Sequence, residues 1–127
     1  VMYNADMKFV DTHEWVRLTG DDLIAEVGIT NHAQELLGDL VYVELPVIGK
    51  VVVVGDTVGV VESVKAASDL FSPIAGEVVA INAEVVADPT LANTDPHGEG
   101  WLFKLKLVDL ADLDALMSAD KYKALIG

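Results

Sequence analysis

From Phe9 onward, apolar side chains recur at every second position in short runs separated by turn formers, a period that directs a chain into antiparallel sheet. The cleanest run sets Trp101, Phe103, Leu105 and Leu107 against Lys104 and Lys106. Leu23, Ala25, Val27 and Ile29 share one face of another, with Asp22 and Glu26 opposite. Val41, Val43 and Leu45 repeat the pattern until Pro46 stops it. Trp15 and Trp101 fall within such alternation and read as core anchors. Helix is confined to short pieces. Asn31 with Gln34 resembles a capping box, and Gly38 suits a left-handed C-terminal cap. Residues 87–100 are dense in turn formers, where Asp88 before Pro89 could cap a helical turn. After Asp109 the period becomes helical through Leu110, Leu113, Leu116 and Met117, and Ser118 restarts a turn carrying Tyr122, Leu125 and Ile126. The reading is a single domain over 1–127, mainly β, with a loose arm at 1–8 and a C-terminal helical segment at 109–126.

Charge narrows the partners. The 127 residues hold 8 Lys and Arg against 21 Asp and Glu, a net charge of −13, yet 52% are hydrophobic, which excludes a disordered acidic tail and supplies one core. Eight scattered cations cannot neutralise a run of phosphates, so nucleic acid is not an expected partner. An anionic membrane face would repel the same surface, and no apolar run approaches the ~20 residues of a spanning helix. With no Cys there is no disulfide, thiol nucleophile or Cys-based zinc site. His13, His32 and His97 lack metal-ligand spacing, and the glycines form neither a Walker loop nor a dinucleotide frame. An independent enzyme is not expected. A soluble monomer is.

Gly49–Val58 aligns with Gly76–Val85 at an offset of 27 residues, with Gly49/Gly76, Val51/Val78, Val52/Val79 and Val58/Val85 identical. Between the copies, residues 58–74 read as apolar strand, small polar turn, apolar strand, with Lys65 near the tip of a β-hairpin. Across residues 51–103 Lys65 is the only Lys or Arg, facing eight acidic residues. A surface lysine ordinarily marks a solvated position. An isolated amine on a rigid protruding turn also suits modification by an enzyme that clamps its substrate, and it suits a swinging arm. Acylation would remove one positive charge and take the net charge from −13 to −14.

Val61-Glu-Ser-Val-Lys-Ala-Ala-Ser-Asp-Leu70 and Ser72-Pro-Ile-Ala-Gly-Glu77 closely resemble the lipoyl-attachment hairpin of the glycine cleavage system H protein family. Thr12-His-Glu-Trp15, Val27 through Asp39, Val43-Glu-Leu-Pro46 and Asp95-Pro-His-Gly-Glu-Gly-Trp101 match further family segments in family order, so the resemblance spans nearly the whole chain. Neighbouring carrier families differ at the flanks. Biotinyl carriers place Met on both sides of the lysine, where this chain has Val64 and Ala66, and lipoyl domains of 2-oxo acid dehydrogenases usually place Asp before it. His97 and Val47 depart from the Tyr and Glu often found in the family.

The resemblance implies a barrel-sandwich hybrid: two antiparallel sheets with a quasi-twofold repeat, plus short flanking helices. It places lipoic acid in amide linkage on Lys65, Gly49 and Gly76 at the family's glycine positions, and Glu62 at a position tied to recognition by the lipoylating enzyme. Glu14, Asp69 and His32 become candidates for lining a cleft that shelters an aminomethyl group. The implied role is a carrier of glycine catabolism and one-carbon metabolism. It would be loaded by a pyridoxal-phosphate-dependent glycine decarboxylase (P protein) and unloaded by a tetrahydrofolate-dependent aminomethyltransferase (T protein). A dihydrolipoyl dehydrogenase (L protein) would reoxidise it. A variant that passes its lipoyl group to other acceptors fits the same motifs. Val1 ahead of Met2 reads as an added residue before an initiator, and the expected compartment is the bacterial cytoplasm, or the mitochondrial matrix for a eukaryotic source.

Overall fold

Alternating residues pair into two sheets. Among residues 2–127, which the computed structural model describes, nine strands and four short helices follow in order. They are β1 (Met7–Phe9), β2 (Glu14–Leu18), β3 (Ile24–Ile29), α1 (Asn31–Leu37), β4 (Leu40–Glu44), β5 (Val51–Val52), β6 (Thr57–Ser63), β7 (Ala67–Phe71), β8 (Gly76–Ile81), α2 (Ala83–Ala87), α3 (Leu91–Thr94), β9 (Phe103–Leu107) and α4 (Ala119–Ile126). A 3-10 turn, Leu110–Ala115, precedes α4, with the Asp109 side chain capping it by accepting from the Ala111 amide. One sheet runs β1-β2-β3-β9-β8-β5, the other β4-β6-β7, and their pairings are antiparallel. This is the mainly β, two-sheet architecture of a barrel-sandwich fold.

The inward faces form one cluster, with Val27, Phe103 and Leu105 of the larger sheet and Val43, Val61 and Leu70 of the smaller all buried. A second cluster, Met7, Phe9, Trp15, Ala119 and Tyr122, holds α4 against β1 and β2. There the Phe9 and Tyr122 rings stack at 4.6 Å. Trp15 is fully buried, and its indole N–H donates to the carbonyls of Ile29 and Pro96 at 3.0 Å each. Gly28 makes this possible, since a Cβ there would stand 2.7 Å from the indole ring. Trp101 is only half-buried, with the Lys104 ammonium 4.8 Å over its ring, so it is a boundary residue rather than a core anchor.

Tertiary contacts redirect several local signals. The arm read as loose at 1–8 is attached over residues 2–8: Met7 and Lys8 enter β1, the Tyr3 ring sits 5.7 Å from Phe9, and the Tyr3 hydroxyl accepts from the His32 amide at 3.0 Å. Apolar contact with Phe9 and Tyr122, invisible to local periodicity, fixes it. Val1 lies outside the described residues. Thr30, not Asn31, caps α1, its hydroxyl accepting from the Ala33 amide at 3.1 Å. A register shift between Leu40 and Tyr42 turns Leu40 inward and leaves Val41 56% exposed. The two aligned Gly–Val segments do not match strand for strand. Val58 lies on β6, whereas Asn82 caps α2 and places Val85 in a helix.

Candidate functional site

β6 and β7 form the hairpin that presents Lys65. Its turn is closed by Ser63, whose backbone amide donates to the Ala66 carbonyl at 2.7 Å. The Ser63 hydroxyl accepts from the amides of Lys65 and Ala66 at 3.3 and 3.1 Å and lies 3.2 Å from the Ala66 carbonyl. From outside the hairpin, the Asp39 carbonyl accepts from the Val64 amide at 3.1 Å. The backbone on each side of the lysine is therefore pinned, while the side chain is exposed and, among the described residues, in no ion pair. Gly38 lies beside it: a Cβ there would come within 3.5 Å of Lys65 Cε. The donor set fits an amide-linked group. A free primary amine stands on a fixed turn, with a glycine rather than a side chain beside its stem.

Register places the acidic candidates. Tyr42 opposes Glu62, which opposes Ala67, and Glu44 opposes Val60, which opposes Asp69. These residues share the outward face of the smaller sheet. Glu62 and Asp69 thus lie on the face that bears the lysine turn, Glu62 half-buried and Asp69 exposed. Glu14 reaches the same hairpin from the larger sheet. It is 2% exposed, and its carboxylate accepts from the Thr12 hydroxyl and, at 3.2 Å, from the Phe71 amide. Burial pushes its carboxyl up to about 7, and those two donations pull the other way. Phe71 ends β7, so Glu14 sits about 13 Å along the strand from Ala67, at a rise of ~3.3 Å per residue. A cleft of about 240 Å³ opens there, lined by Thr12, Val54, Phe71 and Pro73 among others.

Among the described residues, no hydrogen bond joins the other candidates to the lysine. His32 is half-buried on α1, its ring 4.9 Å from that of His13. No hydrogen bond among the described residues joins it to Glu14 or Asp69. Gly49 has φ +95° in the turn before β5, with open space where a Cβ would be. At Gly76 a Cβ would meet the Lys106 carbonyl oxygen at 2.7 Å, so β8 and β9 can approach only because it is absent. These glycines shape the larger sheet, whereas the lysine turn belongs to the smaller one. Among the described residues no group of three or more His, Cys, Asp or Glu could hold a metal ion. Sequence reasoning passed over Ser63 and Asp39 as supports of the turn. The only signal for Ser63 was a small hydroxyl residue two positions before the lysine.

Comparison with known proteins agrees with this geometry. The family description "Glycine cleavage H-protein" matches residues 7–127. The glycine cleavage system H protein of Laribacter hongkongensis is 56% identical over 123 residues, covering 97% of this chain and 96% of that protein. That of Psychrobacter cryohalolentis is 55% identical over 119 residues, covering 94% of each. The crystal structure of a glycine cleavage system H protein from Mycobacterium marinum superposes with a TM-score of 0.89 at 38% identity, covering 98% of both chains. By its sequence, its paired sheets and its lysine-bearing hairpin, the chain belongs to the glycine cleavage H-protein family.

Proposed function

We propose that Lys65 carries lipoic acid in amide linkage and that the protein is the mobile carrier of the glycine cleavage system. In this reading it serves in turn the pyridoxal-phosphate-dependent glycine decarboxylase, the tetrahydrofolate-dependent aminomethyltransferase and dihydrolipoyl dehydrogenase. The observation that carries it is the Lys65 turn, an exposed amine on a backbone held by Ser63 and Asp39. When attached, the lipoyl group supplies a disulfide that takes up the aminomethyl unit as it is reduced. The chain's part is presentation. A tethered intermediate stays at high effective concentration for the next partner instead of diluting into solvent. The proposed carrier is a monomer and not itself an enzyme. The bacterial sources of its relatives support a place in the bacterial cytoplasm.

Glu62 stands three residues before the lysine on the outward face of the hairpin sheet, which supports its proposed recognition by the lipoylating enzyme. Glu14 and Asp69 flank the path along β7, and Glu14 can hold or release a proton near neutral pH because burial has raised its carboxyl to about 7. These two, with His32, are the proposed shelter for the amine in transit. The test is an intact mass from the native host with peptide mapping across Lys65. A lipoyl adduct on Lys65, absent in Lys65→Arg, is expected, and an unmodified lysine from lipoate-replete cells would overturn the carrier reading. On the same loaded protein, Ala at Glu14, Asp69 or His32 should shorten the lifetime of the aminomethyl adduct; an unchanged lifetime removes that residue from the shelter.

A further inference from the structure

Asn93 lies in the turn-dense segment between α2 and β9, far in sequence from the lysine. Its half-buried side chain uses every polar hydrogen and its oxygen. The amide nitrogen donates to the Gly38 carbonyl at 2.9 Å and to Gln34 Oε1 at 3.0 Å, and the amide oxygen accepts from the Leu40 backbone N–H at 2.9 Å. One side chain therefore grips the backbone on both sides of Asp39. Asp39 in turn offers the carbonyl that receives the Val64 amide at 3.1 Å, immediately before Lys65. Leu40 pairs with Ser63, the residue that closes the lysine turn, and Gly38 is the residue beside the Lys65 stem.

We infer that Asn93 is a positioning residue for the modification of Lys65. Through the 38–40 strap it sets the orientation in which the turn meets the lipoylating enzyme. The inference rests on the carrier reading for the identity of the modification, but not for the coupling of Asn93 to the turn. An enzyme that clamps a turn gains from one already ordered, because the entropy of ordering is then not subtracted from binding. Bracing from a third element adds to the turn's own Ser63 bonds and leaves the lysine exposed. Aspartate at 93 would keep the acceptor for Leu40 but turn a carboxylate oxygen toward the Gly38 carbonyl and Gln34 Oε1, so it should release the strap at least as completely as alanine.

The test compares Asn93→Ala and Asn93→Asp with Val85→Ala, a cavity in the buried face of α2, which packs on β4 and α3 but makes none of these hydrogen bonds. Two readouts are taken on the full chain under conditions where each variant is folded. One is the kcat/KM of lipoylation by a lipoate–protein ligase with free lipoate and ATP. The other is hydrogen exchange at the Val64 amide. Both Asn93 variants should lose about tenfold in kcat/KM, chiefly through KM, and Val64 should exchange at least tenfold faster, with Val85→Ala changing neither. Ligase kinetics and Val64 exchange no different from those of Val85→Ala overturn the inference, as does a loss of kcat/KM with Val64 protection intact. Failure of the wild-type chain to accept lipoate would instead sink the carrier reading, and Val64 exchange alone would then decide whether Asn93 braces the turn.

Discussion

Glu14 shows how a single buried carboxyl sets a pH dependence. Its folded-state value of about 7 lies above the ordinary 4.5, because burial penalises the ionised form more than Thr12 and Phe71 favour it. Folding therefore binds the proton. Glu14's contribution is fully present below about pH 4.5 and is lost as pH rises through about 7, a change on the order of 3 kcal/mol. His13 and His97 work the other way. Burial lowers both, and His97 accepts from the Asn31 amide at 3.0 Å through its unprotonated Nε2. Their contribution is complete above the ordinary 6.5 and is lost as pH falls through their folded-state values. Glu14→Gln separates the two. The variant should exceed the wild type in Tm by roughly 10 °C at pH 8.5, and the gap should nearly close at pH 4.5. Alone, the variant should lose stability on acidification below about pH 6.5. A gap between the two proteins that is the same at both ends would mean that Glu14 ionises at its ordinary value.

At the scale of elements, the two glycines matched to the family do different jobs, and their variants should separate. Gly76→Ala drives a Cβ to 2.7 Å from a backbone oxygen of β9, which no side-chain rotation relieves, so the strands must part at a cost of about 3 kcal/mol or more. Gly49→Ala meets open space and is left only with the left-handed backbone at φ +95°, about 1–2 kcal/mol. Urea unfolding should rank them in that order, and equal losses would refute the distinction. Much at this scale is legible in sequence: the alternation that becomes β3 and β9, the lone cation at a hairpin tip, and Gly38 at a helix end are local signals. The rest is written between distant residues. Thr30 and Asn31 are both good caps, and the choice of Thr30 goes with a hydroxyl pair to Tyr122, 92 residues away. Glu14 gives no sign in sequence that it is buried, because its partner amide is on Phe71, 57 residues on. Val41 has the right period and the wrong face, since a bulge against β6 resets the count.

For the whole molecule, the governing quantity is charge. A net charge of −13 on a small domain repels itself, and among the described residues only three salt bridges, all involving side chains at least partly exposed, oppose it. Salt should therefore stabilise the fold. Raising NaCl from 10 to 300 mM shortens the screening length from about 30 Å to under 10 Å, and Tm should climb by a few degrees. The encounter with the proposed lipoylating enzyme should respond with the opposite sign. Glu44, Glu62 and Asp69 share the outward face of the hairpin sheet, so a partner that approaches Lys65 approaches an anionic surface. A basic mouth would be drawn in at low salt, and kcat/KM of lipoylation should fall as salt rises, chiefly in the association step. Measured together, the two trends separate steering from folding. If kcat/KM rises with salt alongside Tm, the charge serves solubility alone, and recognition must rest on the shape of the braced turn.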